Sequence, residues 1–404
     1  MNNDIINEFQ DIFFLKGKKN IVGFKVPSTT EELLFQYELF DFTLLKSLAD
    51  RELSKQDKFY IDVEVIYSYY LGKILESRFL EGKKDIYNII NGTCSGILES
   101  LKFCFEGKPS LSTKKMNELL NSLKPYLDFE VLNENNGKYL YRARVGKDFG
   151  RNELSYIPFE KRRLAKPQRY SIAGYPCIYF ASSIYTCWFE LDRPALSEFV
   201  VSQFSVKKDA SVKLLDLSKR PCDIREELKT LLMNDDEKKA ISLFEKYLIL
   251  WPLLFISSLK KNAENPFNYE FIIPQLVFEW IRIEEEYQGV KFLSTNADSS
   301  GVGLSGKYKE LYTNYAIPVV SANEDNRRWT VVEKNFEATL PINFLYGLSI
   351  CNGRQSGSSL GKRNIIDVNV SDGKYYYPVQ YGATDFFKVE QLLNEFNGIE
   401  IKTY

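Results

Sequence analysis

Cys177-Ile178-Tyr179-Phe180-Ala181-Ser182-Ser183-Ile184-Tyr185-Thr186-Cys187-Trp188-Phe189-Glu190 belongs to the most informative part of the chain. Cys177–Ala181 is a short apolar run after a Gly174-Tyr175-Pro176 turn and reads as a strand. Ser183–Leu191 reads as a helix that places Glu190 near its end. Working outward, Tyr139–Val145 alternates as a strand and carries Tyr141-Arg142. Phe199–Val206 and Val212–Asp216 read as strands, and residues 224–260 as helix. Pro274 is expected to open another helix through Tyr287. Val290–Ser294 and Tyr315–Val320 are further strands, and the last helix falls near 386–396. Strands outnumber helices from residue 290 onward. The pattern is α+β rather than a regular βαβ alternation.

The N-terminal part has a different texture. Residues 1–130 read as mostly helical. Thr29 with Glu32 makes a capping-box signature. Met116, Leu119, Leu120 and Leu123 repeat at i, i+3, i+4 and i+7, and Pro125 stops the run. Residues 61–105 supply more helix-length amphipathic sequence. The polar cluster Asn133-Glu134-Asn135-Asn136-Gly137 marks the boundary. Two domains are expected, a mainly helical one over 1–134, regulatory or partner-binding, and a second over 135–404.

Composition narrows the chemistry. The 404 residues include no histidine, so any reaction proceeds without an imidazole. The net charge of −1 gives no global pull toward nucleic acid or anionic membrane, and neither is expected as a partner. The six cysteines form no Cys-x-x-Cys pair and have no histidine to complete a mixed zinc site, so no metal is expected. They read as free thiols in a reducing cytoplasm. The start shows no basic segment followed by an apolar run. The longest apolar run, Tyr247–Ile256, contains Pro252, is too short to span a bilayer and reads as buried core. Gly301-Val302-Gly303-Leu304-Ser305-Gly306-Lys307 formally matches two phosphate-loop patterns. Tyr308 stands where a Walker loop needs Ser or Thr, and no tight strand–turn–helix surrounds it, so a surface loop is expected. The basic run Lys161-Arg162-Arg163, with Lys166, reads as a solvated loop.

Four elements then occur in order: Tyr141-Arg142, Arg169-Tyr170-Ser171, Ile178-Tyr179-Phe180-Ala181 and Glu190. This order resembles the RES domain, named for Arg, Glu and Ser, whose members are toxins of bacterial toxin–antitoxin pairs and related larger proteins. The resemblance covers roughly residues 138–320 and the final strands, with Ser294 as the late serine. Ala143, Gln168 and Asn296 depart from the family pattern. Residues 1–130 resemble the helical extensions of larger members.

The resemblance implies an ADP-ribosyltransferase-like split β-sheet domain and breakdown of NAD+, with NAD+ as substrate and no metal. Arg142 and Arg169 would clamp the pyrophosphate, as planar guanidiniums do. Tyr179 would stack on the cationic nicotinamide, with Tyr170, Ser171 and Tyr141 as further binding residues. Glu190 would hold a ribose hydroxyl and stabilise an oxocarbenium-like transition state, and Ser294 completes the catalytic set. The leaving nicotinamide already carries positive charge, so no general acid is needed. The expected activity is glycohydrolysis or phosphorolysis by a cytoplasmic growth-arresting toxin or antiphage effector. Its partner would be an antitoxin or sensor protein, and a homo-oligomer is compatible. The alternatives are an ADP-ribosyltransferase acting on a protein or nucleic acid, and a non-catalytic interaction protein on a RES-like scaffold.

Overall fold

The computed structural model describes residues 5–7, 12, 55–136, 139–147, 149–150, 154, 157, 159–261, 267–284, 286–295, 310–319, 331–353, 367–371, 376–396 and 399–400. The expected capping box at Thr29 and the glycine loop at 301–306 lie outside them. Along the chain, helices α1 (Lys55–Glu76), α2 (Lys84–Phe105) and α3 (Pro109–Leu123) precede strands β1 (Phe129–Asn133) and β2 (Leu140–Val145). Strand β3 (Cys177–Ala181) runs into helix α4 (Ile184–Glu190), followed by β4 (Phe199–Val206) and β5 (Ser211–Asp216). Helices α5 (Pro221–Met233), α6 (Glu237–Ser258) and α7 (Ile272–Ile283) follow, then strands β6 (Gly289–Leu293) and β7 (Thr313–Pro318). The rest comprises α8 (Val331–Asn335), β8 (Phe336–Ala338), β9 (Ile342–Asn343), α9 (Phe344–Asn352), β10 (Asp367–Ser371), β11 (Tyr376–Gln380), α10 (Asp385–Asn394) and β12 (Ile399–Glu400). The protein is α+β.

Two compact units divide the chain, one of residues 1–128 with 218–280, the other of 129–217 with 281–404. The sequence reading placed all of 135–404 in one domain. The difference has a packing cause. Helix α6 is buried continuously from Tyr247 to Ser257, and a helix apolar on every side needs other helices around it. It packs on α2 and α5, while α2 also packs on α1 and α3. The spacing read in α3 holds, since Met116, Leu119, Leu120 and Leu123 are all buried. By length and composition α6 could cross a membrane, but its apolar window is mostly buried within the fold.

Pro252 sits inside α6 and has no N–H to give the Leu248 carbonyl. The Tyr70 hydroxyl on α1 donates to that carbonyl at 2.7 Å. One turn away, Tyr67 donates to the carbonyl of Pro252 at 2.8 Å. A helix interruption inside a core is thus satisfied from a neighbouring helix.

The other unit is built on one sheet in the order β1-β5-β6-β7-β3-β2-β4-β8-β12, with β9 also paired to β4. All its pairings are antiparallel except β5 with β6. One apolar cluster joins Leu140, Ile178, Phe180, Phe204, Leu214 and Tyr315. A second joins Tyr141, Ala181, Val201, helix α4, helix α9 and helix α10. β1 was not read from the sequence, where residues up to 130 were expected to be helical. At Gly289 an added Cβ would lie 2.4 Å from the Ala316 carbonyl oxygen, so only glycine lets β6 approach β7 there.

Candidate active site around Glu190

Helix α4 starts where Ser183 caps it, the hydroxyl accepting from Thr186 N at 3.0 Å. Ser182, Ser183 and Thr186 all donate to the Leu311 carbonyl at 2.7–2.9 Å, fixing the start of α4 to the segment before β7. The buried Glu390 accepts from Ile184 N at 2.8 Å and from the Tyr381 hydroxyl at 2.6 Å, a carboxylate at the positive end of the helix. Held at that end, the helix delivers its last residue, Glu190, to a solvent-facing position.

There Glu190 Oε1 accepts two hydrogen bonds. The Ser294 hydroxyl donates at 2.5 Å and the Asn314 side-chain amide at 2.6 Å. Ser294 directly follows β6, and Asn314 lies in β7, paired with Phe292 on one side and Ala181 on the other. The next residue, Thr295, accepts from Arg169 Nη2 at 2.9 Å. The structure therefore groups Glu190, Ser294 and Arg169, three residues singled out from the sequence, around the end of β6.

Arg169 and Tyr170 occupy the tip of a tight turn closed by Gln168 N to Ser171 O (2.9 Å) and Ser171 N to Gln168 O (3.2 Å). The Tyr179 hydroxyl on β3 pins that turn, accepting from Tyr170 N at 3.1 Å and donating to Ser171 Oγ at 3.3 Å. Burial, followed by the neighbouring Cys177, holds the Tyr179 phenol well above its ordinary range.

Arg142 is placed differently. Strands β2 and β3 are paired only at Tyr141 with Ala181. Beyond that pair, Arg142 Nη1 donates to the Tyr179 carbonyl at 3.0 Å and Nε to the Leu154 carbonyl at 2.7 Å. Burial, and then the nearby Arg144, lowers its pKa to about 10. The guanidinium thus bridges two strands where their ladder stops.

Two aromatic residues of the expected binding set lie in packing positions. Tyr141 is 1% exposed within the second apolar cluster. Tyr170 is 0% exposed, its ring 4.5 Å from that of Phe292. Burial raises the thiols of Cys177, to about 12, and of Cys187. Such thiols stay protonated near neutral pH and make poor nucleophiles. Among the described residues no three Cys, Asp or Glu side chains group as metal ligands would.

Sequence reasoning missed Asn314 and Thr295. The available signal was an asparagine beside the apolar run that begins at Tyr315, a residue type that strands disfavour.

No family model matches the chain, and no solved structure matches it. The chain is 34% identical over 197 residues to a Bacillus subtilis (strain 168) protein described as "Putative toxin YopC". The matched stretch is 48% of this chain and 43% of that protein, so it spans less than half the relative's length.

Proposed function

We propose that the protein is a toxin that cleaves the nicotinamide–ribose bond of NAD+, with the sheet unit as its catalytic part. The observation that carries the reading is the convergence at the end of β6. There an exposed carboxylate is hydrogen-bonded by a serine and an amide, and a buried guanidinium is tied to the adjacent threonine. The relative's description supports a toxin role. In the proposed reaction the C1′–N bond breaks with its electron pair leaving on nicotinamide. Glu190 stabilises the cation developing on the ribose. Water then bonds to C1′ and loses a proton, giving ADP-ribose. Arg169 binds the pyrophosphate, Tyr179 lies against the nicotinamide, and Arg142 holds the β3 main chain that carries Tyr179. An antitoxin or sensor that covers this site would restrain it.

The test is incubation of the full chain with NAD+, with and without phosphate, reading free nicotinamide. Release is expected, with ADP-ribose or its 1″-phosphate as the second product. Unchanged NAD+ under both conditions overturns the reading. Label transferred from NAD+ to a macromolecule, without free ADP-ribose, replaces it with an ADP-ribosyltransferase.

A further inference from the structure

We propose that Asn314 is a positioning residue for Glu190, a role that rests on the NAD+-cleaving reading above. Three observations carry it. First, Asn314 occupies a position where its residue type is costly. It lies inside β7, between β6 and β3, and is 5% exposed. A buried side-chain amide in a central strand requires a hydrogen-bond partner, and a residue that breaks a local rule without helping the fold points to a site. Second, among the described residues the side-chain amide has one hydrogen-bond partner, Glu190 Oε1 at 2.6 Å.

Third, Glu190 occupies a position that such a contact supports. It is the last residue of α4, at the negative end of a helix, where a carboxylate is disfavoured. Two donors converging on one oxygen fix the plane of the carboxylate. Ser294, just past β6 with its N–H donating to the Tyr312 carbonyl at 2.8 Å, supplies the other donor. Asn314 sits in register between Phe292 and Ala181, so its amide has a fixed origin. The two donors together set the direction in which the carboxylate meets the ribose.

The chemistry yields a discriminating expectation. A residue that orients a transition-state group affects turnover and leaves substrate binding largely alone. We expect Asn314→Ala to lower kcat for nicotinamide release by roughly 10- to 100-fold, with KM within about 3-fold of the parent. Asn314→Asp keeps the shape but replaces the donor with a second carboxylate facing Glu190, and should lower kcat at least as far. Thermal melting is recorded for both variants. Loss of kcat in a variant that melts like the parent supports the proposal. A kcat within about 3-fold of the parent in either folded variant overturns it, as does a KM effect without a kcat effect. If neither variant folds, Asn314 belongs to the fold alone and the proposal also fails. Failure of the parent itself to release nicotinamide defeats the reading on which this rests, an outcome visible before any variant is made.

Discussion

At the scale of single residues, the site is organised by what each polar group can be given as a partner. Glu190 receives two donors, one within β7 and one just past β6, and these would still serve the carbonyl oxygen of an amide. Glu190→Gln therefore keeps the geometry and removes the charge. Turnover is expected to fall by about 100-fold or more while the melting temperature holds, on the scale of losing one transition-state electrostatic group. Steady-state nicotinamide release and a melting curve check both halves, and near-parent turnover would remove Glu190 from the chemistry. Part of this candidate site was legible in the sequence, through the family resemblance. Glu190, Arg169, Tyr179 and Ser294 were singled out by the resemblance that the order of elements carries, and contacts group Glu190 and Ser294 with Arg169 and link Tyr179 to the turn that carries Arg169. Asn314 and Thr295 were not, because one polar residue in or beside a strand leaves no spacing pattern. Nor could spacing show that Tyr141 and Tyr170 are packed away from solvent, since aromatic residues in strands and turns serve packing and binding alike.

At the scale of elements, two strands were read to their ends. Cys177–Ala181 and Phe199–Val206 are observed with the expected bounds. β1 was missed because its five residues closely follow a helix and a short turn with no alternation of their own. Helix α6 shows why length arguments need packing. Pro252 lies within the apolar run, yet the helix continues through it, with Tyr70 supplying the missing donor. Tyr70→Phe leaves the Leu248 carbonyl unsatisfied in the core and should cost about 1–3 kcal/mol. In the Tyr70→Phe, Pro252→Ala double variant the new alanine N–H can serve that carbonyl. Most of the loss should then be recovered, a non-additivity that denaturant unfolding of the four proteins measures. Additive losses would mean that the two side chains act independently.

At the scale of the whole molecule, the abundance of tyrosine has a thermodynamic consequence. Burial raises the phenols of Tyr67, Tyr70, Tyr170 and Tyr179 above their ordinary value of 10.0. Each binds its proton more tightly folded than unfolded. Their contribution is therefore intact below the unfolded phenol's pKa and is lost as pH rises beyond it. Melting temperature should decline from about pH 9 to about pH 11, with tyrosinate absorbance rising together with unfolding. Ionisation of these phenols in a protein that stays folded at the same pH would contradict their burial.

Chain order adds a constraint of another kind. β5 and β6 are parallel neighbours, and the connection between them runs through residues 218–280 of the helical unit. Glu190 is made well before that excursion, whereas Asn314 comes 124 residues later. At roughly 5–20 residues per second, a ribosome needs on the order of 6–25 seconds to travel from one to the other. During that interval the nascent polypeptide holds a carboxylate without its amide, and for the first 104 residues without its serine as well. Any product terminated in that window is expected to lack the assembled centre, so translation itself acts as a timer on when the molecule becomes competent.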